Sequence, residues 1–344
     1  MKKISVVIPC YNMARWIDRC IASVAVQTIG LDSMEVICVD DASTDGTWER
    51  LQKWEQKFPE HMLLIRQDVN RRQGAARNLG LRHASAPYIA FVDGDDWLEP
   101  DYFEQLYAPI AHQSYDVVAC GAATDPSASL VYFDEKSRGE GEGQALCSDT
   151  VERKKEMLIQ KPLNIFAWAK IIRKELLLDH QIYFPEGLLY EDNYWYPLLH
   201  IYADTIYIVQ KRLYHYFMRD SSTVHAMNDP HHLDRVTIQL IKWEDYEKRG
   251  LLQSYRAELE YDGLYCAMHF MRCLVFRYDR PSFSYYQLQR EVLRQRIPDD
   301  IMALYADTFS GLDRILFNAL YQALDAESFQ KFIEQARCYI YNKG

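Results

Sequence analysis

Three acidic clusters stand out by type and spacing: Asp93-Gly94-Asp95-Asp96, Asp40-Asp41 and Glu191-Asp192. Carboxylates gathered as tightly as in the first repel one another unless a cation lies between them, and hard cations such as Mg²⁺ or Mn²⁺ prefer oxygen ligands. Mg²⁺ takes one or two protein carboxylates and fills its remaining positions with water and substrate phosphates, so the expected cargo is a metal-bound phosphate ester. An Asp-Gly turn ending a strand accounts for the same residues without any chemistry. Between the first two clusters in space would run Asn70-Arg71-Arg72-Gln73-Gly74-Ala75-Ala76-Arg77-Asn78. The planar fork of arginine suits phosphate, and a glycine at a helix start lets backbone N–H groups approach an anion.

The elements that must position these groups follow from the apolar pattern. Ile4 to Ile8 is a continuous β-branched run, expected of a strand buried on both faces and closed by Pro9. Trp16, Ile17, Cys20, Ile21 and Val24 then recur at helical spacing. Further strands are expected at Met34 to Val39, Met62 to Ile65, Tyr88 to Val92 and Asp116 to Cys120, with helices between them, one of them capped by Ser43 or Thr44. Such alternation predicts an α/β fold with a mostly parallel sheet flanked by helices. Ligands of these sheets sit at the carboxyl ends of the strands, where two of the acidic clusters fall.

Residues 124–148 read as an exposed loop or hairpin insertion. Beyond it, a helix is expected at Val151 to Gln160, strands at Ile165 to Ile172, Thr205 to Val209 and Tyr214 to Met218, and a helix after Asp192. From about His231 helical stripes succeed one another, among them Leu233, Val236, Leu240 and Trp243. They describe an appendage packed on the sheet domain or a surface for oligomers.

Composition narrows the function. The 344 residues are 49% hydrophobic and 26% charged, enough for a sizeable core. A net charge of −10 argues against a surface built to grip nucleic acid. The eight scattered cysteines fit buried apolar positions in a reducing compartment, with no zinc spacing among them. With no leader and no membrane-length apolar run, a cytoplasmic protein is expected. Arg272, Arg277, Arg280, Arg290, Arg294 and Arg296 lie among aromatic residues and leave peripheral contact with anionic lipid open.

In order and spacing, Val6-Val7-Ile8-Pro9-Cys10-Tyr11-Asn12, Val39-Asp40-Asp41-Ala42-Ser43-Thr44-Asp45-Gly46-Thr47, Gly74-Ala75-Ala76-Arg77-Asn78-Leu79-Gly80, Phe91-Val92-Asp93-Gly94-Asp95-Asp96 and Tyr190-Glu191-Asp192-Asn193 resemble the motifs of family 2 glycosyltransferases with the GT-A fold. The resemblance covers roughly residues 3–220. It implies a Rossmann-like GT-A domain over residues 1–225, with a nucleotide-binding half at 1–120 and an acceptor half at 121–225, followed by a helical region at 226–344. It also implies transfer of a sugar, with inversion, from a nucleotide diphosphate sugar, a UDP-sugar above all, to a glycan or lipid-linked glycan acceptor.

The residue roles follow from the same resemblance. Pro9, Tyr11 and Asn12 would contact the base or ribose, although a turn capping the first helix explains Tyr11 and Asn12 equally. Asp41, or its neighbour Asp40, would accept from the imide N–H of the base. Arg72 and Gly74 belong to the diphosphate side, Arg77 either to the diphosphate side or to the structure, and Asp93 and Gly94 to the ribose or the metal's water shell. Asp95, with Asp96 beside it or in its place as the direct ligand, would hold Mn²⁺ or Mg²⁺, with His215 as a third ligand or else a packed strand residue. Asp192 would be the catalytic base and Glu191 its orienting acid. Arg219 could reach a phosphate, and Ser221-Ser222-Thr223 resembles the segment closing the domain. The rival readings are a non-catalytic nucleotide-sugar-binding or scaffold protein on the same fold, and a nucleotidyltransferase.

Overall fold

The first apolar runs become four parallel strands. The computed structural model describes residues 1–126, 130–133, 138–139, 141–219 and 226–341, so the Ser221-Ser222-Thr223 segment lies outside the described residues. The chain divides into two compact units, Met1–Arg219 and Asp220–Gly344. In the first unit β1 (Ile4–Cys10), β2 (Met34–Asp40), β3 (Met62–Arg66) and β4 (Tyr88–Phe91) lie side by side in the order β3-β2-β1-β4, parallel throughout. β1 is buried along its whole length, as a β-branched run covered on both faces must be. It continues through Pro9 to Cys10, because β4 has already ended opposite Val7 and asks no N–H of Pro9.

Helices α1 (Ile17–Ala25), α2 (Thr47–Lys57) and α3 (Arg72–His83) make the crossovers. The chain steps outward from β1 to β3 and then returns to the other side of β1 with β4. In an open α/β sheet that reversal opens a crevice outside the carboxyl ends of the two strands. The capping expected of Ser43 or Thr44 does not occur. Gly46 precedes α2, and Asp45 Oδ1 accepts from the Thr47 backbone N–H at 3.1 Å.

Beyond β4 the sheet becomes mixed. β5 is Trp97–Leu98, β6 Val117–Asp125, β7 Gln144–Cys147, β8 Lys170–Arg173 and β9 Thr205–Phe217. β8 runs antiparallel between β4 and β6, β9 lies parallel to β6, and β5 and β7 pair antiparallel with β9. The α/β architecture is therefore parallel in its first half and mixed in its second. The two strands expected at 205–209 and 214–218 are one, carried across the polar Gln210-Lys211-Arg212 by register shifts around Gly121 of β6. β8 begins five residues later than Ile165, because the chain before it wraps round the ammonium of Lys170. The remaining helices of this unit are α4 (Tyr102–Tyr107), α5 (Val151–Gln160), α6 (Lys174–Asp179) and α7 (Asp192–Tyr202).

The second unit is helical: α8 (Asp234–Lys248), α9 (Leu252–Phe276), α10 (Phe283–Arg294), α11 (Asp299–Leu304), α12 (Gly311–Tyr321) and α13 (Ala326–Tyr341). The apolar stripes read from the sequence form its core, with Val236, Leu264, Met268, Met271, Val275, Leu312 and Leu316 all buried. Much of its basic cluster is neutralised: Arg272 pairs with Asp313 at 2.6 Å, Arg294 with Asp299, and Arg296 with Glu247 at 3.8 Å. No helix among the described residues is long and apolar enough to cross a membrane. All eight cysteines are free; five are buried, Cys266 is half-buried, and Cys147 and Cys338 are exposed rather than buried.

Candidate active site at the carboxyl ends of the strands

β4 delivers Asp93 to the reversal point beside β1, and α3 secures it there. The Arg77 guanidinium, 3% exposed, donates to Asp93 Oδ1 at 2.7 Å and also to Glu191 Oε1. Burial pulls the pKa of Arg77 down, but Asp93 and Glu191 outweigh it and raise the pKa overall. Arg77 thus joins the strand-end acid to the acidic pair of residues 191 and 192, which supports the structural one of its two expected roles. Gly74, on the same helix, serves the same packing. A Cβ there would lie 2.4 Å from the Pro185 carbonyl oxygen, so the open side of the glycine faces protein and no anion. Asn78 completes the seam by accepting from the Phe184 N–H at 2.9 Å and donating to its carbonyl at 2.8 Å.

The Asp93-Gly94-Asp95-Asp96 cluster separates into two roles. Asp93 is 24% and Asp95 15% exposed at the side chain, and Asp95 Oδ2 pairs with Arg219 Nε at 2.9 Å. Arg219 therefore serves a carboxylate here. Asp96 is buried, and both its oxygens are committed: Oδ2 accepts from the Tyr214 hydroxyl at 2.7 Å and Oδ1 from the Phe217 N–H at 2.8 Å. Of the two candidates for the direct metal ligand these contacts favour Asp95, while Asp96 ties β9 to the strand end. Gly94 is buried against β1, where a Cβ would meet the Pro9 carbonyl oxygen at 3.3 Å, so it too is a packing residue.

Asp95 and Asp96 are crowded electrostatically. Burial pushes the Asp95 carboxyl up from its ordinary value, Arg219 opposes the shift and Asp93 adds to it. For Asp96, burial, then Asp95 and Asp93, push it well above the usual range. Groups raised by burial and mutual repulsion are those a divalent cation would return to the charged form. Asp95, raised in this way and partly exposed, fits Mg²⁺ or Mn²⁺ as a hard oxygen ligand, and the partly exposed carboxylate of Asp93 fits by its chemistry and place. Among the described residues no three His, Cys, Asp or Glu side chains gather as a complete cage, so phosphate and water would fill most positions.

His215 does not join them. It is buried, with Nε2 2.8 Å from Glu99 Oε1 and Nδ1 3.1 Å from Asp125 Oδ2. Its ring lies between Trp97 at 4.7 Å and Phe133 at 3.8 Å. With both nitrogens engaged and both faces covered, the expected third metal ligand is a packed residue of β9.

Across the crevice, β2 ends in two buried acids. Asp40 pairs with Arg66 at 3.1 Å. Asp41 Oδ1 accepts from Gln67 Nε2 and from the Arg71 N–H, each at 2.7 Å, while its Oδ2 is buried without a hydrogen bond. Burial raises the pKa of Asp41, and the Arg71 N–H lowers it. Pro9 is buried within β1 and Tyr11 is 43% exposed beyond it. Asn12, at φ 54°, is a latch: its N–H donates to Ser43 Oγ and its Oδ1 accepts from the Thr44 N–H, both at 2.9 Å. Asn12 thereby ties the end of β1 to the chain after β2 and does not cap α1, whose N-cap is Trp16. Arg71 pairs with Glu186 at 2.7 Å, and Arg72 stands half-buried at φ 70° where α3 begins.

Glu191 is fully buried against Arg77, and Asp192 opens α7 half-buried, its Oδ1 accepting from Asn193 Nδ2 at 2.9 Å. The dipole of α7 favours the charged form of a carboxylate at this end. Nearby, Lys170 was invisible as a functional residue in the sequence. It is fully buried, and its Nζ donates to Asn164 Oδ1 at 2.7 Å and to the carbonyls of Phe166 and of Trp168, the latter at 3.0 Å. Burial pushes its pKa down to about 7. A lysine in a short apolar strand run was the only available signal. Tyr214 was likewise missed, since an aromatic in a strand reads as core.

The sequence model of glycosyl transferase family 2 matches residues 5–170. EpsH of Bacillus subtilis, a glycosyltransferase by name, is 27% identical over 79% of this chain and 76% of its own length. TarS of Staphylococcus aureus, a poly(ribitol-phosphate) beta-N-acetylglucosaminyltransferase, is 28% identical over 63% of this chain; the chain spans about a third of it, 35%. The crystal structure of TarS residues 1–349 with UDP-GlcNAc superposes with a TM-score of 0.70 at 19% identity, over 97% of this chain and 91% of that one. Over residues 5–170 the chain is thus similar to glycosyl transferase family 2, and its fold is the GT-A fold.

Proposed function

We propose that the chain is an inverting, metal-assisted glycosyltransferase that moves a sugar from a UDP-sugar to an acceptor hydroxyl of a growing glycan. One observation carries the reading: Arg77 binds both Asp93 and Glu191, and so joins the strand-end acid to the residue that precedes Asp192. Donor-side acids and a candidate base thereby share one wall of one crevice. The unfilled Oδ2 of Asp41 suits the imide N–H of uracil. The name of TarS, an N-acetylglucosaminyltransferase, and its crystallisation with UDP-GlcNAc support the same donor class.

In this reading Asp93 and Asp95 would hold a divalent cation, which when bound would supply electrostatic stabilisation of the charge on the departing UDP. Asp192 takes the proton of the acceptor hydroxyl as its oxygen bonds to the anomeric carbon and the bond from that carbon to the diphosphate breaks. Glu191, neutralised by Arg77, fixes the start of α7 and so the place of Asp192. Tyr11 and Arg72 are left as the donor contacts at the rim.

Thermal-shift measurement with nucleoside diphosphates and nucleotide sugars tests this, since a ligand bound only by the folded chain raises its apparent stability. UDP and UDP-sugars should raise the melting temperature, more so with Mn²⁺. A panel in which no nucleotide does so would overturn the reading.

A further inference from the structure

A cleft of about 620 Å³ lies in the first unit between β6, β9 and the chain that precedes β8. Its polar lining includes Asn164 and Arg212, and beside aliphatic residues of β6 and β9 its apolar lining holds three aromatic rings, Phe166, Trp168 and Tyr216. The rings of Phe166 and Trp168 are parallel within 7° at 4.4 Å, and Tyr216 is within 15° of Trp168 at 5.6 Å. Trp168 is 6% exposed, while Phe166, an apolar side chain, is 40% exposed. Exposure of a large ring on the wall of a cleft forgoes burial that a core Phe would gain.

The platform is held rigidly. Lys170, fully buried, draws in the side chain of Asn164 and the carbonyls of Phe166 and Trp168, and Ala169 turns the chain at φ 60°. Gathering these alternate carbonyls on one ammonium fixes the backbone that carries the two rings. On its inner side Trp168 stacks on Tyr214 at 4.6 Å, and the Tyr214 hydroxyl donates to Asp96 and accepts from the Asp93 N–H at 3.2 Å. A continuous stack therefore runs from the acidic strand end to the exposed face of Phe166.

We infer that this aromatic cleft is a carbohydrate subsite, in which a sugar ring of the acceptor glycan stacks on Phe166 and Tyr216. The negative faces of parallel aromatic rings attract the polarised C–H groups on the flat side of a pyranose. Hydroxyls at the ring edge meet donors on the wall, since Asn164 spends its oxygen on Lys170 and keeps its amide N–H₂, and Arg212 forms no ion pair among the described residues. The inference rests on the glycosyl-transfer reading and gives its acceptor a place.

A bacterial-glycan array probed with labelled wild-type chain, Phe166→Ala, Phe166→Tyr and Asp95→Asn tests it, with UDP-sugar binding measured in parallel by calorimetry. Glycans bound by the wild type should bind Phe166→Ala about tenfold more weakly, with Phe166→Tyr restoring binding and Asp95→Asn leaving it unchanged. UDP-sugar affinity should follow the opposite order, lost in Asp95→Asn and kept in Phe166→Ala; unchanged melting temperatures confirm that the variants fold. Equal glycan binding by wild type and Phe166→Ala, or no glycan bound by a chain that binds UDP-sugar, would overturn the subsite. Glycan binding without any UDP-sugar binding would overturn the donor reading and leave the subsite standing.

Discussion

The Tyr214 hydroxyl donates to Asp96 Oδ2 at 2.7 Å inside the fold, across 118 residues of sequence. Asp96→Ala should therefore act on stability, leaving the buried Tyr214 O–H and Phe217 N–H donors without their acceptor at about 1–3 kcal/mol each. Urea denaturation measures the loss. Asp95→Asn should be nearly neutral by the same assay yet abolish the Mn²⁺-dependent part of UDP-sugar affinity. Equal effects of the two variants on Mn²⁺ dependence would contradict this division of roles.

Arg77 neutralises Asp93 and the fully buried Glu191. Arg77→Met strands a buried carboxylate, and breaking a buried pair from one side costs about 3–5 kcal/mol. The double variant Arg77→Met, Glu191→Gln should recover part of that loss. Strictly additive denaturation free energies for the two changes would show that the pair is uncoupled.

His215 supplies a negative test. With both its nitrogens taken by Glu99 and Asp125, His215→Gln should lower the melting temperature and leave the Mn²⁺ concentration for half-maximal activity within about twofold of wild type. A rise of tenfold or more would return His215 to the metal.

Lys170 makes stability depend on pH. Its pKa is about 7 in the folded chain and, when unfolded, near the ordinary lysine value of about 10.4. Between these values the unfolded chain binds the extra proton, so this group's contribution to stability is complete above about pH 10 and is lost as pH falls toward 7. Its slope is at most about 1.4 kcal/mol per pH unit. Denaturation of wild type and Lys170→Met from pH 7 to 9.5 should show the wild type gaining stability relative to the variant as pH rises. A constant difference would mean that Lys170 stays protonated throughout.

What the sequence made legible was local. Ile4 to Ile8, Met34 to Val39 and Tyr88 to Val92 carry their strand character in their own side chains, and the acids that follow them fall at the strand ends by chain continuity. Which of Asp93, Asp95 and Asp96 faces outward depends on β9, more than a hundred residues later, whose Tyr214 and Phe217 claim Asp96. His215 was ambiguous for the same reason, because Glu99 and Asp125 come from other strands and loops. Gly74 and Asn12 carried motif identity that the fold spends on packing and turn geometry. Lys170 and the ring of Phe166 gave no periodic signal, since a chain wrapped round an ammonium has neither helical nor strand period.

The central claim is that Asp192 removes the acceptor proton while Asp93 and Asp95 secure the donor. Its most direct test compares UDP release in the presence of acceptor with UDP-sugar affinity by calorimetry, for wild type and Asp192→Asn. The account predicts a fall in kcat of about 10²–10⁴ with the dissociation constant for UDP-sugar within twofold. Turnover within about threefold of wild type, or lost donor binding with undiminished turnover per bound donor, would contradict it.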